Sequence, residues 1–455
     1  MKKYHIITIG CQMNKSDSER IASYLEDLGL ILAQERPKAD LVIITTCGVR
    51  ASAENRIFGL IPRIRKENPA VKIVLTGCLS EREDIKKRTG NTVDAWMSIG
   101  DFSVINNLLS DQCQLADIKY QSGLKSGEYL NIEPKYSSGY SAYIPIGNGC
   151  DNYCAYCVVP YARGREVYRP ADDILREVGD LIKRGYKEIN LIAQNVNSYK
   201  YPISLPCRQA GNIQHPINDQ LSNNQKLITF PLLLKSINDL DGDFWIRFSS
   251  NHPKDMNDEL INILPQLNKV CEHIHLPAQA GDNDVLKAMN RHYTVEHYEN
   301  LIKKIRQAVP GAAITTDIIV GFPGETREQF ENTLKLFKEV KFDMAYIAQY
   351  SPRPGTAAAK LVDDVTQEEK KKREEELTAI LRETALENNK KYLNQVVDVL
   401  VEGKNRKGKW FGRTRTEKNV EIGNWKLETG NLEGKFIKVR ITEAKDFGMK
   451  GEFIK

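Results

Sequence analysis

The first third of the chain alternates short apolar, β-branched runs with longer amphipathic stretches. Residues 4–9, 41–45 and 71–76 read as strands and the stretches between them as helices. The first helix carries Ser16 and Glu19 at capping-box spacing and ends near Gly29. A βαβαβ pattern of this kind predicts a parallel sheet with right-handed crossovers. The alternation then repeats about six times, with strand candidates at 143–146, 188–193, 245–250, 273–277, 313–321 and 344–350 and helical stretches such as 171–185 and 326–340. Six βα units are too few to close an eight-stranded barrel, which predicts a partial (β/α)6 barrel with its site at the carboxyl ends of the strands. Residues 367–391 form a charged helical run with Leu377, Ile380, Leu381, Thr384 and Ala385 on one face, read as a linker helix with a solvated side. Four short runs follow, 396–401, 410–415, 419–422 and 436–442, separated by Gly and Asn turns, which predicts a small β-barrel. The fold class is α/β, in three units bounded at 1–120, 136–375 and 390–455.

One stretch departs from the pattern. Between Tyr199 and Thr229 lies a Pro-, Asn- and Gln-rich insertion without periodicity, either floppy or in contact with substrate.

Composition fits this frame: 455 residues, 41% hydrophobic and 27% charged, suffice for about three domains with ordinary cores. No run of eighteen apolar residues and no signal peptide is visible, so no membrane association is expected. Nine cysteines, an odd number, then suggest reduced thiols and metal ligands in a cytoplasmic protein rather than disulfides. The net charge of +5 changes the picture only when placed along the chain. Residues 1–391 hold 51 Lys plus Arg against 51 Asp plus Glu, whereas 392–455 hold 14 against 9. The excess concentrates in 404–418, where Lys404, Arg406, Lys407, Lys409, Arg413 and Arg415 interleave with Trp410 and Phe411. Cations for phosphates and aromatics for stacking predict RNA binding.

The chemistry is concentrated in the cysteines. Cys150, Cys154 and Cys157 form a C-x3-C-x2-C run after the first strand of the partial barrel. Three thiolates can hold three irons of a [4Fe-4S] cluster and leave the fourth open to a small molecule. The alternatives are a zinc site, although no second cysteine pair lies nearby, and three unrelated buried cysteines. Cys11, Cys47 and Cys78 each follow one of the three N-terminal strands, at intervals of 36 and 31 residues. All three should emerge at the carboxyl edge of neighbouring strands, where open α/β sheets bind ligands, as a second three-thiolate site. Taken singly, each would pass for an ordinary buried cysteine. Cys113, Cys207 and Cys271 have no partner spacing. Gln194, Asn195, Ser249 and Gln279 follow later strands on the same face, and the Gly321-Phe322-Pro323-Gly324-Glu325 turn follows the fifth. Its glycines suit a close ligand or a plain strand-to-helix turn.

With Tyr156 before the last cysteine, the run resembles the signature of radical S-adenosylmethionine (SAM) enzymes. The chain as a whole resembles the methylthiotransferases of that superfamily, with an N-terminal three-cysteine domain, a radical domain and a C-terminal TRAM barrel. Gly10-Cys11-Gln12-Met13-Asn14, Gln194-Asn195-Val196-Asn197-Ser198-Tyr199 and Tyr350-Ser351-Pro352-Arg353-Pro354-Gly355-Thr356 are similar to the MiaB type, which modifies tRNA. The insertion after Tyr199 is not usual for that type. The resemblance implies two [4Fe-4S] clusters, one on Cys150, Cys154 and Cys157 for radical generation and an auxiliary one on Cys11, Cys47 and Cys78 for sulfur. It implies SAM contacts from Tyr156, Gln194, Asn195, Ser249, Gln279 and Gly321. It also implies two SAM molecules per product, C2 of N6-isopentenyladenosine in the tRNA anticodon stem-loop as target, an electron donor such as flavodoxin or ferredoxin, and a sulfur donor. Relatives acting on threonylcarbamoyladenosine or on a ribosomal protein are the alternatives; a non-catalytic iron-sulfur carrier is a third class.

Overall fold

A computed structural model describes residues 2–49, 51–109, 128–202, 227–423 and 430–454. Cys113, Cys207 and most of the insertion after Tyr199 lie outside the described residues. The insertion's stem is the antiparallel pair Lys200–Pro202 and Leu227–Thr229. Among the described residues no helix is long and apolar enough to cross a membrane.

The N-terminal sheet is parallel and five-stranded, with Lys3–Thr8 between the short edge strand Ile31–Leu32 and Leu41–Thr46, followed by Lys72–Gly77 and Ala95–Met97. Leu41–Thr46 is buried on both faces, which its unbroken β-branched run allows. The first helix, Gln12–Asp27, begins five residues earlier than its capping-box spacing predicts. Its N-cap is Cys11, and the Ser16/Glu19 capping box does not form. Ser16 Oγ instead accepts from Arg20 at 2.6 Å, and Glu19 accepts from the amide and hydroxyl of Ser137 in the next domain.

The middle unit contains two three-stranded parallel sheets, Ser141–Pro145, Glu188–Ile192 and Trp245–Phe248, then His273–His275, Ala313–Val320 and Met344–Gln349. A bridge between Ile246 and Val270 joins them into the partial barrel. Ile189, Leu191, Ile246 and Phe248 point outward into the main core under the helices. Residues of the opposite parity, among them Glu188, Arg247, His275 and Asp317, are left to the barrel interior. The charged helix Gln367–Lys390 is more than a linker. Leu377 and Leu381 join the main core, and buried Arg373 pairs with Glu325 at 2.9 Å.

The C-terminal unit is a closed five-stranded barrel of Val396–Lys404, Trp410–Thr414, Asn419–Gly423, Phe436–Lys445 and Gly448–Ile454. It docks on the amino ends of the radical-domain strands through buried charge. Glu188 accepts from Arg247 at 2.6 Å and lies 3.2 Å from Arg413; Arg415 pairs with Glu272 at 2.7 Å. Arg247 also donates to the Thr414 and Arg415 carbonyls. Trp245 stacks at 4.7 Å on Phe436, and Cys271 is buried beside it. Arg413 and Arg415 are thus removed from the predicted RNA-facing set: carboxylates of the radical domain, distant in sequence, claim their charge. Lys404, Arg406, Lys407 and Lys409 remain exposed.

Candidate active site

The cluster loop leaves the strand Ser141–Pro145 and is fastened at several points. Gly149 has φ +81°, and a Cβ there would lie 2.1 Å from the Arg165 carbonyl oxygen, so only glycine permits the chain to cross itself at this point. The Cys150 amide donates to the Gly164 carbonyl, the Cys157 amide to that of Cys154, and the Ala155 amide to that of Met289. Arg291 Nη1 lies 3.5 Å from Cys154 Sγ while its Nη2 holds the Pro277 carbonyl at 3.0 Å. Burial pushes the Cys150 thiol up to about 11 and the Cys157 thiol higher, with Cys154, Cys150 and Cys78 adding to the rise at Cys157. Ligation by a cation is what stabilises clustered thiolates in such a setting.

The two triads approach each other at Gly48, where the turn that carries Cys47 packs against Cys78 on one side and Val158 of the cluster loop on the other. Cys11, Cys47 and Cys78 emerge together at the carboxyl edge of the three paired strands, as their spacing predicts. Gly10 has φ +152°, and a Cβ there would come within 2.9 Å of Cys47 Cβ, so this glycine lets two of the thiol-bearing turns close up. A Cβ on Gly48 would touch both Cys78 and Val158 of the cluster loop. The two domains are stapled by Asp17 and Arg163, 2.6 Å apart and each at most 2% exposed, with Asn148 and Tyr129 completing the network. Sequence reasoning missed Asp17, Arg163 and Arg291, because their partners lie 146 and 137 residues away. Among the described residues no three His, Cys, Asp or Glu side chains converge closely enough to hold one metal ion. The candidate donors are the two groups of three thiols.

Beside the cluster loop opens a cavity of about 650 Å³, bounded by Gly48, Val49, Tyr156, Cys157, Gln279, Asp317, Tyr346, Glu374 and Phe447, among others; of the six triad cysteines, Cys157 is the one that lines it. All three domains contribute to its wall. Gln279, at φ +67°, lines it, as does Tyr156. Gln194 Oε1, Asn195 Oδ1, Asn251 Oδ1 and His252 Nε2 are buried without a hydrogen-bond partner among the described residues. Asn195 Nδ2 is fixed by Asp255 at 2.7 Å. Buried polar atoms of this kind call for a ligand, and their place at the carboxyl ends of the strands suits a polar cofactor. Burial, with Arg291, Lys254 and His292, lowers the His252 pKa to about 2, so its imidazole is neutral at pH 7. Ser249 donates to Gln12 across the domain boundary at 3.3 Å. Gly321 is not brought to the cavity. Its amide donates to the Glu325 carboxylate at 2.6 Å and its open side packs on Lys370, so its glycine serves the strand-to-helix turn.

Three family models match along the chain: "Uncharacterized protein family UPF0004" over residues 3–98, the radical SAM superfamily over 144–337 and the TRAM domain over 390–454. Together with the cavity they define a radical SAM enzyme carrying a TRAM barrel. The tRNA-2-methylthio-N(6)-dimethylallyladenosine synthase of Carboxydothermus hydrogenoformans is 39% identical over 462 residues, spanning 100% of this chain and 99% of the relative. Those of Thermoanaerobacter sp. strain X514 and Thermodesulfovibrio yellowstonii are 40% and 38% identical over 99% of this chain, covering 92% and 98% of their own lengths. The chain belongs to the radical SAM tRNA methylthiotransferase family, MiaB type. Among solved structures, the radical SAM methyltransferase TsrM from Kitasatospora setae shares the fold, with a TM-score of 0.53 at 15% identity over 79% of this chain and 75% of that one. Membership brings SAM and a [4Fe-4S] cluster.

Proposed function

We propose that the protein replaces the C2 hydrogen of N6-isopentenyladenosine, next to the tRNA anticodon, by a methylthio group, using two SAM molecules and two [4Fe-4S] clusters. The observation that carries this reading is that two thiol triads, one in each of two domains, stand on turns that pack together at Gly48 beside the cavity. Cys150, Cys154 and Cys157 would hold the radical-generating cluster and Cys11, Cys47 and Cys78 the auxiliary one. When bound, these groups supply reductive SAM cleavage and a sulfur for transfer, which an unactivated aromatic C–H requires. The protein's own part is positional. Arg291 steadies Cys154 and its loop, Gln194, Asn195 and Gln279 present polar atoms toward SAM, and the Asp17–Arg163 staple keeps the triads apposed. A base unstacked from the RNA would enter between them. An electron donor such as flavodoxin or ferredoxin, a sulfur donor and a cytoplasmic setting complete the reading.

Metal content tests the two-cluster part. Anaerobically reconstituted protein should carry about eight irons per chain, halved when Cys150, Cys154 and Cys157 are all replaced by Ala. A wild-type value near four would leave only one cluster. Mass spectrometry of tRNA nucleosides after incubation with SAM, reductant and sulfide tests the product.

The RNA grip is assigned to the exposed cations. Changing Lys404, Arg406, Lys407 and Lys409 to Gln should weaken tRNA binding and flatten its salt dependence by roughly 0.7 to 0.9 in log–log slope for each phosphate no longer neutralised. The check is a tRNA titration at several salt concentrations. Unchanged affinity, with transfer to a ribosomal-protein control, would favour the protein-modifying relative.

A further inference from the structure

Among the described residues, the Asp, Glu, Lys and Arg side chains lining the cavity are Asp317, Glu374 and Arg353. The one cation among them is already committed. Arg353 donates to the Val49 carbonyl at 3.2 Å, stands 3.8 Å from Glu54, and is only 10% exposed. Asp317, by contrast, is 41% exposed and turns its carboxylate into the opening. His275 Nε2 lies 3.4 Å from that carboxylate, and its Nδ1 is 3.0 Å from the Thr315 hydroxyl. Glu374 accepts from Gln349 Nε2 at 2.6 Å. Beside Asp317, at the paired position of the next parallel strand, is Tyr346, 51% exposed, its ring 6.1 Å from that of His275. Val49, Ile319, Ala348 and Phe447 supply apolar wall.

We propose that this arrangement selects the N6 substituent of the target base by charge: Asp317 and Glu374 admit a neutral hydrocarbon chain and turn away one that ends in a carboxylate. The inference rests on the cavity being the base site proposed above. A flat base can stack on Tyr346 with its single N6–H directed at Asp317, while an alkyl substituent lies on the apolar wall. A substituent ending in a carboxylate must lose its hydration beside two like charges, while Arg353, the one lining cation among the described residues, is held by Val49 and Glu54. Rejection thus comes from repulsion and desolvation, and not from size.

The test measures binding of three anticodon stem-loop RNAs to the reconstituted holoenzyme. One carries N6-isopentenyladenosine, one N6-threonylcarbamoyladenosine, and one the methyl ester of the latter, which matches it closely in size but is neutral. Wild-type protein should bind the ester about tenfold more tightly than the acid. The Asp317→Asn/Glu374→Gln variant, near-isosteric and checked for folding by thermal unfolding, should bring acid and ester within about twofold of each other. Equal binding of acid and ester by wild type overturns the inference without any variant, and so does a gap that survives in the double variant. The underlying reading is judged separately, by methylthio product from the isopentenyl RNA. Product with no acid–ester gap removes the charge selection alone, whereas product only from the carboxylate RNA removes both.

Discussion

Cys154→Ala is expected to abolish both reductive cleavage of SAM and methylthio product, whereas Cys47→Ala should abolish product and leave cleavage intact. Cys154 sits at the centre of the cluster loop, with Arg291 Nη1 3.5 Å from its sulfur, and its loss leaves two thiols where three are needed. Cys47 belongs to the opposite triad and packs among Ile9, Ile44 and Ala53. Shortening it to Ala removes one buried sulfur at a cost of about 1 kcal/mol, too little to unfold the domain. Quantifying 5′-deoxyadenosine and methylthio nucleosides in the same reaction separates the two steps. Full product from Cys47→Ala would show that the N-terminal thiols are core residues and nothing else.

The second large effect belongs to Arg413. Its guanidinium is shared among Glu188, Glu402 and Glu417, and Glu188 is 1% exposed. Arg413→Ala leaves Glu188 and Glu417 with Arg247 alone and takes from Glu402 its Arg413 pair, so a loss of about 3 to 5 kcal/mol is expected. Lys407→Ala, on the exposed hairpin, should change stability by less than about 0.5 kcal/mol. The junction is also acid-sensitive. Burial alone would raise the Glu417 pKa, but Arg247, Arg413 and His273 outweigh it and bring it from 4.5 down to about 2. A carboxyl group depressed on folding contributes its full stabilisation above pH 4.5 and loses it as the pH falls toward 2. Urea unfolding followed by tryptophan fluorescence, with Trp245 at the junction, reads both effects. Equal midpoints for Arg413→Ala and Lys407→Ala would show that the junction does not hold the barrel.

Cys150, Cys154 and Cys157 were legible as a C-x3-C-x2-C run, and Cys11, Cys47 and Cys78 because each stands at a boundary that periodicity marks. A β-branched run ends, a turn begins, and the cysteine lies between. The six radical-domain strands were legible for the same reason. What the chain does not announce is where a side chain's partner comes from. Ser16 and Glu19 have capping-box spacing, yet Arg20 and Ser137 take their polar atoms and the helix starts at Gln12. Arg413 and Arg415 look like RNA contacts in a count of charge, but the carboxylate of Glu188 lies 225 residues from Arg413. The last strand, Gly448–Ile454, escaped because Gly451 and the charged Lys450 and Glu452 interrupt its apolar alternation. The triad-to-triad approach had no local signal at all, since it depends on the Asp17–Arg163 pair and on Gly48 fitting against Val158.

The buried junction beneath the radical barrel has one further consequence. Arg413 and Arg415 leave the same hairpin whose outer end carries Lys404, Arg406, Lys407 and Lys409, so the exposed cations stand on a base that cannot swing freely. If those cations hold the RNA backbone, the span from grip to cavity is a fixed length and the protein works as a ruler. The nucleotide that reaches the cavity is then chosen by its distance along the RNA from the held phosphates, before any atom of the base is read.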